Sequence, residues 1–537
     1  MTQSFPVLLP NLIRQLDEYP SSVVPLIPVT AVVLDSRQVK PGSLFVALSG
    51  GSTDGHRYIP DAVQRGASAV VGSHPLQELP VPYFQVADGR CALARLSAAF
   101  FDFPARKLVM IGVTGTDGKT TTANLIYQVL RMTGIPTGMI TTVNAMIGDL
   151  ELDTGFHVTT PEAPEIQHIL SQMEAAGLTH VILEATSHGL AQQRVADCDF
   201  DIGVVTNITH EHLDYHGSYE AYRSAKARLF TSLAMTPPKF INPPRAAVLN
   251  FDDRWYKYLA DLAQVPQISY GLDKGAQVQA EEIEYLPDGL HFLAVGRDLQ
   301  GQAFRLPISS RLMGEFNVLN CLAAVVVTLG VLGVDPEAIQ RGIAGLLGVP
   351  GRMEVIELKS EPRITQDFTA IVDFAHTPNA LYCSLKAARH LTTGNLIAVF
   401  GSAGLRDRLK RRMMAKVSAK MANLTILTAE DPRTESLDGI LDEMADGLRL
   451  EGGVEGQTFW RIPDRSEAIR HAVRLANPGD LVIVCGKGHE QSMCFGNTEY
   501  PWDDRLAMRA ALAERLGAPG PAMPFLPTNT SERGGQA

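Results

Sequence analysis

The stretch GVTGTDGKTTT, residues 112–122, constrains the fold of this chain more than any other feature. The apolar run 107–113 predicts a short buried strand, and the alanine- and leucine-bearing run after Thr121 predicts a helix. A glycine loop between a strand and a helix lets backbone N–H groups converge at the helix N-terminus, where the dipole favours an anion. The pattern therefore predicts a phosphate-binding loop, although Val113 stands where the strict motif has a glycine.

Four residues of this loop carry the expected chemistry. Gly115 and Gly118 supply the backbone freedom, Lys119 would reach the outer phosphates of ATP, and the Thr120 hydroxyl would ligate the accompanying Mg²⁺. An ordinary glycine-rich turn is the alternative. The combination of strand, paired glycines, lysine, hydroxyl run and helix favours nucleotide binding.

The length of 537 residues predicts about three or four domains, because one hydrophobic core rarely serves so long a chain. Strand and helix patterns alternate in three series, and the Gly- and Pro-containing segment GVPGRME separates the second from the third. Alternation of this kind gives a mainly parallel sheet. We predict an α/β protein with an N-terminal α/β domain at 1–105, a central P-loop-like ATPase domain at 106–348, a C-terminal Rossmann-like domain at 349–525 and a flexible tail at 526–537.

The third series contains four strands that each end in a polar loop: TAIVDFAHT, LIAVFGSAG, LTILTAEDPR and DLVIVCGKGHE. In open α/β sheets, ligands bind outside the carboxyl ends of the strands. These four loops are therefore a candidate binding site.

Charge and cysteine content exclude several classes of protein. A formal net charge of −11 argues against nucleic-acid binding, and the six cysteines lack CxxC spacing, which is typical of reduced thiols. No signal-peptide pattern and no apolar run long enough to span a bilayer is present in the sequence. We expect a cytoplasmic monomer that is not inserted in a membrane.

The second series adds candidate metal ligands to the loop. Glu184 follows an apolar run and lies at a predicted strand end, where a carboxylate can help to hold Mg²⁺. The segment TNITHEHLDYHG brings His210, His212 and His216 together. Three histidines suggest zinc, but the neighbouring acids and the nucleotide loop favour a magnesium role for at most one of them.

A family resemblance rests on many such motifs in a fixed order. They are GTDGKTTT, EATSHGL, HEHLDYHG, YRSAKARLF, GEFNVLNCLAA, GRME, DFAHTPNAL, GSAGLRDRLKRR, EDPRTES and GKGHE. The series resembles the Mur ligases from about residue 34 to residue 490, most closely the MurE-type members that add the third peptide residue to a UDP-N-acetylmuramoyl dipeptide. That family is similar in lacking the first glycine of the loop.

The resemblance implies a role for each matching residue. ATP is expected to contact Thr114, Gly115, Thr116, Asp117, Gly118, Lys119, Thr120, Thr121, Asn317, Arg352 and Asp373, with His376 in the same loop as Asp373. Two Mg²⁺ ions are expected at Thr120, Glu184, His212 and a carbamylated Lys226. Lys119, Lys226 and His212 form the implied catalytic set. A carbamate makes sense there, because an ammonium would repel Mg²⁺ whereas a carbamate offers anionic oxygen ligands.

The resemblance also implies a place for each part of the substrate. The uridine nucleotide is expected near Ser36, Arg37, Asp54 and Gly55, and the sugar-peptide part near Thr159, Thr160, Ser187 and Arg194. The incoming amino acid is expected near Arg406, Asp431, Arg433, Gly486 and Glu490.

The implied reaction joins an amine to a carboxylate of UDP-N-acetylmuramoyl-L-alanyl-D-glutamate. A carboxylate is a poor electrophile, so ATP activates it as an acyl phosphate before the amine displaces phosphate. Closure of the third domain is expected to assemble the site and exclude water.

The amino-acid pocket leaves two readings open. Arg433 can pair with a distal carboxylate, which meso-diaminopimelate has and lysine lacks. The diaminopimelate-type motif reads D-N-P-R, however, and Asp431 replaces its asparagine, so this acid could attract the ammonium of L-lysine or L-ornithine. We favour diaminopimelate. Asp117, where the family commonly has asparagine, is a further departure.

Three other functions are compatible with parts of the sequence. AVFGSAG suggests a dinucleotide-binding oxidoreductase, but its glycine pattern is incomplete. A folylpolyglutamate-synthetase-like ligase would share the nucleotide loop, and the HLDYHG and GKGHE segments argue against it. A non-catalytic nucleotide-binding relative is disfavoured by the presence of Lys119, Glu184, His212 and Lys226.

Overall fold

The computed structural model describes residues 6–16, 19, 24–50, 53–76, 78–148, 150–152, 160–209, 213–286, 289–358 and 366–528. Three sheets with helices packed on them confirm the predicted α/β class. Within these ranges, no helix combines the length and apolar character that crossing a bilayer requires.

The first sheet is four-stranded and fully parallel. A short antiparallel pair precedes it, formed by β1 (Val7–Leu8) and β2 (Pro28–Val29). The strands of the sheet, in spatial order, are β3 (Ala31–Val33), β4 (Ser43–Val46), β5 (Ala67–Gly72) and β6 (Tyr83–Gln85). The helices are α1 (Leu9–Ile13), α2 (Ile59–Gln64) and α3 (Gly89–Phe100), with 3₁₀ turns at Ser36–Gln38, Gly55–Tyr58 and Pro104–Lys107.

The second sheet has eleven strands in the order β10-β9-β8-β11-β7-β12-β13-β14-β15-β16-β17. They are β7 (Val109–Thr114), β8 (Thr137–Ile140), β9 (Ala145–Ile147), β10 (Leu150–Leu152), β11 (His180–Glu184), β12 (Ile202–Val205), β13 (Ala246–Asn250), β14 (Gln267–Gly271), β15 (Val278–Leu286), β16 (Gly289–Arg297) and β17 (Ala303–Ser310). The run from β8 to β15 is parallel, whereas β9, β10, β16 and β17 pair antiparallel.

Helices cover both faces of this sheet. They are α4 (Lys119–Met132), α5 (Ala163–Ala175), α6 (Ser187–Ala191), α7 (Leu213–His216), α8 (Tyr219–Leu233), α9 (Tyr256–Leu262), α10 (Phe316–Val325), which continues as a π-helix at Val326–Val331, and α11 (Pro336–Gly345). Strand β7 is buried along its whole length, with Ile111 and Val113 in one apolar cluster and Met110 in the other. Double coverage explains why its sequence is an unbroken apolar run.

The third sheet has six strands in the order β18-β19-β23-β20-β21-β22. They are β18 (Glu354–Val355), β19 (Thr369–Asp373), β20 (Leu396–Phe400), β21 (Leu424–Leu427), β22 (Phe459–Arg461) and β23 (Leu481–Cys485), followed by a hairpin of β24 (Ser492–Phe495) and β25 (Thr498–Pro501). The helices are α12 (Pro378–His390), α13 (Leu409–Met421), α14 (Leu437–Leu450), α15 (Arg465–Leu475) and α16 (Asp504–Leu516). Since β19, β23, β20 and β21 are parallel neighbours, the four polar loops predicted from the sequence meet at one edge.

The C-terminal segment differs from the predicted flexible tail at 526–537. Leu526 is fully buried in the apolar cluster of the third sheet, and Thr528 Oγ1 donates a hydrogen bond of 2.8 Å to Asp464 Oδ2. The prediction is wrong for 526–528, because one leucine side chain is enough to dock this stretch. Residues 529–537 lie outside the described ranges, and the domain limits remain a prediction.

Candidate active site

The phosphate loop requires glycine at two positions. Gly118, with φ +84°, precedes α4, and a Cβ there would lie 2.4 Å from Asn320 Oδ1. A Cβ on Gly115 would lie 1.8 Å from Thr206 Oγ1. No side chain fits at either distance, so the loop backbone packs directly on its neighbours. Asn320 lies on α10, three residues after Asn317, and the sequence analysis missed it.

Hydrogen bonds from the segment after β12 fix the shape of the loop. Thr206 Oγ1 donates to the Asp117 carbonyl at 2.5 Å, and Asn207 Oδ1 accepts from the Asp117 N–H at 3.0 Å. The Thr116 N–H donates to the Asn207 carbonyl at 2.7 Å. Thr206 and Asn207 begin the TNITH segment. The sequence analysis named the histidines of this segment as candidate ligands and missed these two residues. They hold the cradle ready for an anion.

Lys119 is the first residue of α4, where the helix dipole is positive. Its Nζ donates to the Thr116 carbonyl at 2.7 Å, which places the ammonium beside the loop. The side chain is partly buried and lines the large cavity described below.

Thr120 and Glu184 form a pair of oxygen donors. Glu184 ends β11 opposite Val113 of β7, and its Oε2 accepts from Thr120 Oγ1 at 2.9 Å. Thr142 also reaches this oxygen, through its N–H at 3.3 Å and its hydroxyl at 3.1 Å. Glu184 is only 2% exposed. A buried carboxylate beside two hydroxyls is a donor set that fits Mg²⁺, and Thr142 is an addition to the sequence prediction.

Lys226 lies on α8 and is buried, with 2% of its surface exposed. Its Nζ donates to the Gly115 carbonyl at 2.6 Å and lies 4.8 Å from the centre of the Tyr222 ring. His216 ends α7, and its ring packs against Tyr222 with the ring centres 5.4 Å apart. The lysine therefore contacts the phosphate loop, and its role as a carbamylated metal ligand remains a prediction.

Three predicted residues lie outside the described ranges: His210, His212 and Thr159.

A cavity of about 750 Å³ lies between the second and third sheets. Its volume lies in the range of small-molecule sites. Ten of the residues predicted to bind ATP or metal line it: Thr116, Asp117, Gly118, Lys119, Thr120, Thr121, Glu184, Asn317, Arg352 and Asp373, together with His376. Thr114 and Gly115 are not among the described lining residues, because Thr114 is fully buried at the end of β7 and Gly115 packs against Thr206.

Each of the three sheets, with its helices and loops, forms one unit of the molecule. Arg352 lies just before β18 and extends a cation from the third unit towards the phosphate loop. Its Nη2 lies 3.5 Å from Thr120 Oγ1, and its guanidinium lies over the Phe374 ring at 4.1 Å. Burial lowers the pKa of Arg352 from its ordinary value, although Asp373 and Glu184 oppose that shift. An arginine stays protonated under such a shift, so a positive charge faces the cavity.

Asp373 and Asn317 have protein partners in this structure. Asp373 accepts from the Met353 and Ala375 N–H groups at 2.7 and 2.9 Å, and from Ser384 Oγ at 2.7 Å. Asn317 Nδ2 donates to the Met313 carbonyl at 2.7 Å. Both side chains thereby fix the cavity wall.

The described residues predicted for the sugar-peptide part lie together beside Glu184. Arg194 Nη1 donates to the Thr160 carbonyl at 2.6 Å, and the Thr160 hydroxyl donates to the Glu184 carbonyl at 3.2 Å. Ser187 begins α6 and is buried, and its Oγ has no hydrogen-bond partner among the described residues. This cluster borders the metal-donor pair.

The residues predicted for the uridine nucleotide lie in the first unit, away from the cavity lining. Ser36 and Arg37 begin the first 3₁₀ turn, where Ser36 is buried and the Arg37 side chain is 82% exposed. Asp54 caps the second 3₁₀ turn, which starts at Gly55. The structure therefore groups these four residues on the first unit without joining them to the loop.

Asp54, His56 and His74 in this region form a metal-like cluster. His56 Nδ1 lies 2.7 Å from Asp54 Oδ1, and His56 Nε2 accepts from the Ser73 N–H at 2.9 Å. Both ring nitrogens of His56 are thus engaged by protein, so the cluster does not fit a metal centre.

The predicted amino-acid pocket contains a buried lysine that the sequence analysis missed. Lys487 Nζ donates to both carboxylate oxygens of Asp431 at 3.0 Å and also pairs with Glu490. Burial lowers the pKa of Lys487, but the carboxylates of Glu490 and Asp431 outweigh it and hold this pKa above its ordinary value. Asp431 therefore already has a cationic partner in the protein, which it shares with Glu490.

Arg433 is held at the edge of this pocket by its backbone. Its φ of +53° is unusual for arginine, and its N–H and C=O bond to Cys494 and Gly496 of the β24–β25 hairpin at 3.1 and 2.8 Å. Within the described part of the chain, its guanidinium forms no ion pair; Nη1 reaches the Gly404 carbonyl at 3.4 Å. Arg406 is exposed.

Glu430 is a second residue that the sequence analysis missed, although it begins the quoted EDPR segment. It is 5% exposed, and its Oε2 has no hydrogen-bond partner among the described residues. A Cβ on Gly486 would lie 2.5 Å from that oxygen, so glycine keeps the space around it. Burial raises the pKa of the Glu430 carboxyl, although Lys410 opposes the shift. An unpartnered buried carboxyl is suited to bind an ammonium group.

Comparison with known proteins agrees with this architecture along most of the chain. Three family models match: the Mur ligase family catalytic domain at residues 28–101, the Mur ligase middle domain at 113–328, and the Mur ligase glutamate ligase domain at 351–488. The UDP-N-acetylmuramyl-tripeptide synthetase of Roseiflexus sp. is 44% identical, over 92% of this chain and 97% of its own.

Two further relatives carry a more specific name. The UDP-N-acetylmuramoyl-L-alanyl-D-glutamate–2,6-diaminopimelate ligase of Geobacillus kaustophilus is 41% identical, over 91% of this chain and 95% of its own. A solved structure of a ligase with the same name is 31% identical, with a TM-score of 0.63 over 95% of this chain and 99% of its own.

The fold, the phosphate loop and the matches together define an ATP-dependent ligase that forms peptide bonds in peptidoglycan synthesis. The chain belongs to the Mur ligase family. The resemblance noted in the sequence is thereby confirmed. The oxidoreductase and folate-ligase readings find no support in these relatives.

Proposed function

We propose that this protein adds meso-diaminopimelate to UDP-N-acetylmuramoyl-L-alanyl-D-glutamate through an acyl phosphate. The observation that carries the choice of amino acid is the pairing of Asp431 with Lys487. Because both oxygens of that carboxylate already accept from Lys487, Asp431 is less available to the side-chain ammonium of lysine or ornithine. Arg433 forms no ion pair among the described residues and keeps its charge for a distal carboxylate. The names of the Geobacillus relative and of the similar solved structure support the same choice.

The first step moves the γ-phosphoryl group of ATP. A carboxylate oxygen of the D-glutamyl residue forms a bond to the γ-phosphorus as the bond to the ADP oxygen breaks. Lys119 and Arg352 would offset the negative charge that opposes this approach, since both line the cavity beside the loop. Thr120 and Glu184, with His212 and a modified Lys226, would hold Mg²⁺, which supplies further charge neutralisation when bound.

The second step forms the amide. The free amine of the incoming amino acid attacks the acyl carbon, the carbon–oxygen bond to phosphate breaks, and the nitrogen loses a proton to solvent or a nearby base. Glu430 is placed to accept an ammonium of the amino acid, because its buried Oε2 has no other described partner. Arg433, Gly486 and Glu490 border the same loops at the edge of the third sheet.

A competition among acceptors tests this assignment. Phosphate release by the purified protein is measured with ATP, Mg²⁺ and the UDP-muramoyl dipeptide, in the presence of meso-diaminopimelate, L-lysine or L-ornithine. We expect a strong preference for diaminopimelate. Preference for lysine or ornithine would contradict it, and an absence of turnover with all three would favour a folate-type or non-catalytic protein instead.

Replacing Asp431 by asparagine is expected to leave the acceptor preference unchanged. The amide oxygen still accepts from Lys487, so the pocket keeps its shape while stability falls by about 1–3 kcal/mol. The readout is the ratio of kcat/KM for diaminopimelate to that for lysine. A tenfold or larger change in this ratio would identify Asp431 as the selecting group. Asp431→Glu, which keeps the charge, serves as the matched control.

We also propose that Lys226 is carbamylated in the active protein. Its Nζ lies within hydrogen-bond distance of the loop carbonyl of Gly115, so an added carbamate would place an anionic group beside the phosphate loop. Incubation with ¹³C-bicarbonate should give a carbamate resonance in the ¹³C spectrum that is absent from Lys226→Met. Identical spectra of the two proteins would refute the modification. Lys107→Met, at an exposed site, controls for other lysines.

A further inference from the structure

We propose that Asp117 and Asn379 are positioning residues that couple closure of the third domain to the phosphate loop. The inference rests on the proposed function, because the loop is taken to hold the phosphates of ATP. Asn379 Nδ2 donates a hydrogen bond of 2.8 Å to Asp117 Oδ2. Asp117 belongs to the loop of the second unit, and Asn379 lies in the first turn of α12 in the third unit. The bond thus joins the second and third units at the wall of the cavity that both residues line.

Helix α12 contacts the second unit along one face. Asn379, Cys383 and Lys386 are spaced four and three residues apart, which places them on one side of a helix. Cys383 lines the cavity, and Lys386 Nζ lies 2.5 Å from Glu315 Oε2, just before α10. The Glu315–Lys386 pair is partly exposed and contributes little energy, but it fixes the far end of the same face.

The start of α10 also packs against this face of α12. A Cβ on Gly314 would lie 3.1 Å from the Ala387 Cβ, and Phe316 packs against the apolar cluster of the third sheet. Helix α12 is therefore the element of the third unit that meets both the phosphate loop and the start of α10.

Asp117 connects the phosphate loop to α12 because both its backbone and its side chain are hydrogen-bonded. Its backbone N–H and carbonyl are fixed by Asn207 and Thr206, while its side chain reaches across to Asn379. A carboxylate in a loop that binds phosphates is unfavourable unless it points elsewhere. The amide of Asn379 gives it that direction. A shift of α12 therefore changes the conformation of the loop and the distance between the Asp117 carboxylate and the bound phosphates.

The chemistry of the pair predicts the ranking of variants. Asn379→Asp sets two carboxylates against each other, whereas the double variant Asp117→Asn, Asn379→Asp restores an amide facing a carboxylate with donor and acceptor exchanged. Asn379→Asp should lower kcat/KM for ATP by roughly tenfold to a hundredfold, because like charges at contact repel. The double variant should return to within about threefold of the unmodified protein, and KM for the amino acid should change little.

The experiment measures phosphate release and, separately, the affinity for ADP with Mg²⁺ by calorimetry, in the unmodified protein and both variants. Gln300→Glu adds the same charge at an exposed loop and serves as the control. Thermal unfolding shows that each variant is folded. Recovery in the double variant supports the coupling, whereas equal losses in the single and double variants, or no loss in Asn379→Asp, overturn it.

The two measurements separate this inference from the proposed function. If the unmodified protein fails to release phosphate with any acceptor, the proposed function fails, and the ADP affinities still decide the coupling. They must then fall in Asn379→Asp and recover in the double variant. An unchanged ADP affinity across the set would refute the inference on its own.

Discussion

Replacing Lys119 by alanine is expected to abolish phosphoryl transfer while leaving the fold intact. The lysine begins α4 beside the phosphate loop, and its Nζ already lies 2.7 Å from the Thr116 carbonyl. Removing one charged group that stabilises a developing transition state typically lowers kcat by about 10²–10³-fold. The side chain is partly buried and polar at its tip, so its loss leaves no cavity in the apolar core.

Two controls make this result specific. Lys119→Arg keeps the positive charge and should retain part of the rate, while Lys274→Ala, at an exposed loop, should have no effect. Thermal unfolding and binding of the UDP-muramoyl dipeptide should be unchanged in Lys119→Ala. Undiminished phosphate release by that variant would remove Lys119 from the mechanism.

Replacing Arg433 by alanine should lower kcat/KM for meso-diaminopimelate far more than kcat/KM for L-lysine. The β24–β25 hairpin holds Arg433 in a left-handed backbone conformation. Its guanidinium has no ion-pair partner among the described residues, so its charge is available to a substrate carboxylate. Loss of a buried charge pair with the distal carboxylate costs roughly 2–5 kcal/mol, which corresponds to about 30-fold to several-thousand-fold in kcat/KM.

The comparison of acceptors decides the meaning of that loss. Turnover with L-lysine, which has no distal carboxylate, should change by less than about fivefold. Arg433→Lys should fall between the two because it keeps the charge but not the planar donor pair. Equal losses with diaminopimelate and lysine would indicate that Arg433 only supports the pocket structure.

The local architecture could be read from the sequence because short-range patterns encode it. The apolar run before Gly115 and the alternating strands of the third unit follow from burial on both faces of a parallel sheet. The order that places β23 between β19 and β20 could not be read, because it depends on pairing between distant segments. Docking of Leu526 could not be predicted for a different reason, because the polar composition of the tail gives no sign of one buried side chain.

The candidate site likewise contains contacts that could be predicted from the sequence and contacts that could not. Thr120 and Glu184 could be paired from the sequence, because both follow parallel strands whose carboxyl ends lie at one edge. The pairing of Asp431 with Lys487 could not, since each lies in a different loop and the interaction is fixed only by the fold. The sequence left open that Asp431 attracts an ammonium of the substrate, and the structure adds that Lys487 already contacts this carboxylate.

The link between Asp117 and Asn379 is the clearest case of information that only the fold contains. Asp117 and Asn379 belong to different motifs, and their hydrogen bond joins two units that the sequence treats separately. The departure of Asp117 from the asparagine common in the family gains a physical explanation from this contact.

The central claim, ligation through an acyl phosphate, is tested most directly by following oxygen atoms. The UDP-muramoyl dipeptide is prepared with ¹⁸O in the carboxylates of its D-glutamyl residue and incubated with the protein, ATP, Mg²⁺ and meso-diaminopimelate. Mass spectrometry should find one ¹⁸O atom in each phosphate released and a UDP-muramoyl tripeptide formed in equal amount. Release of unlabelled phosphate without tripeptide would contradict the account.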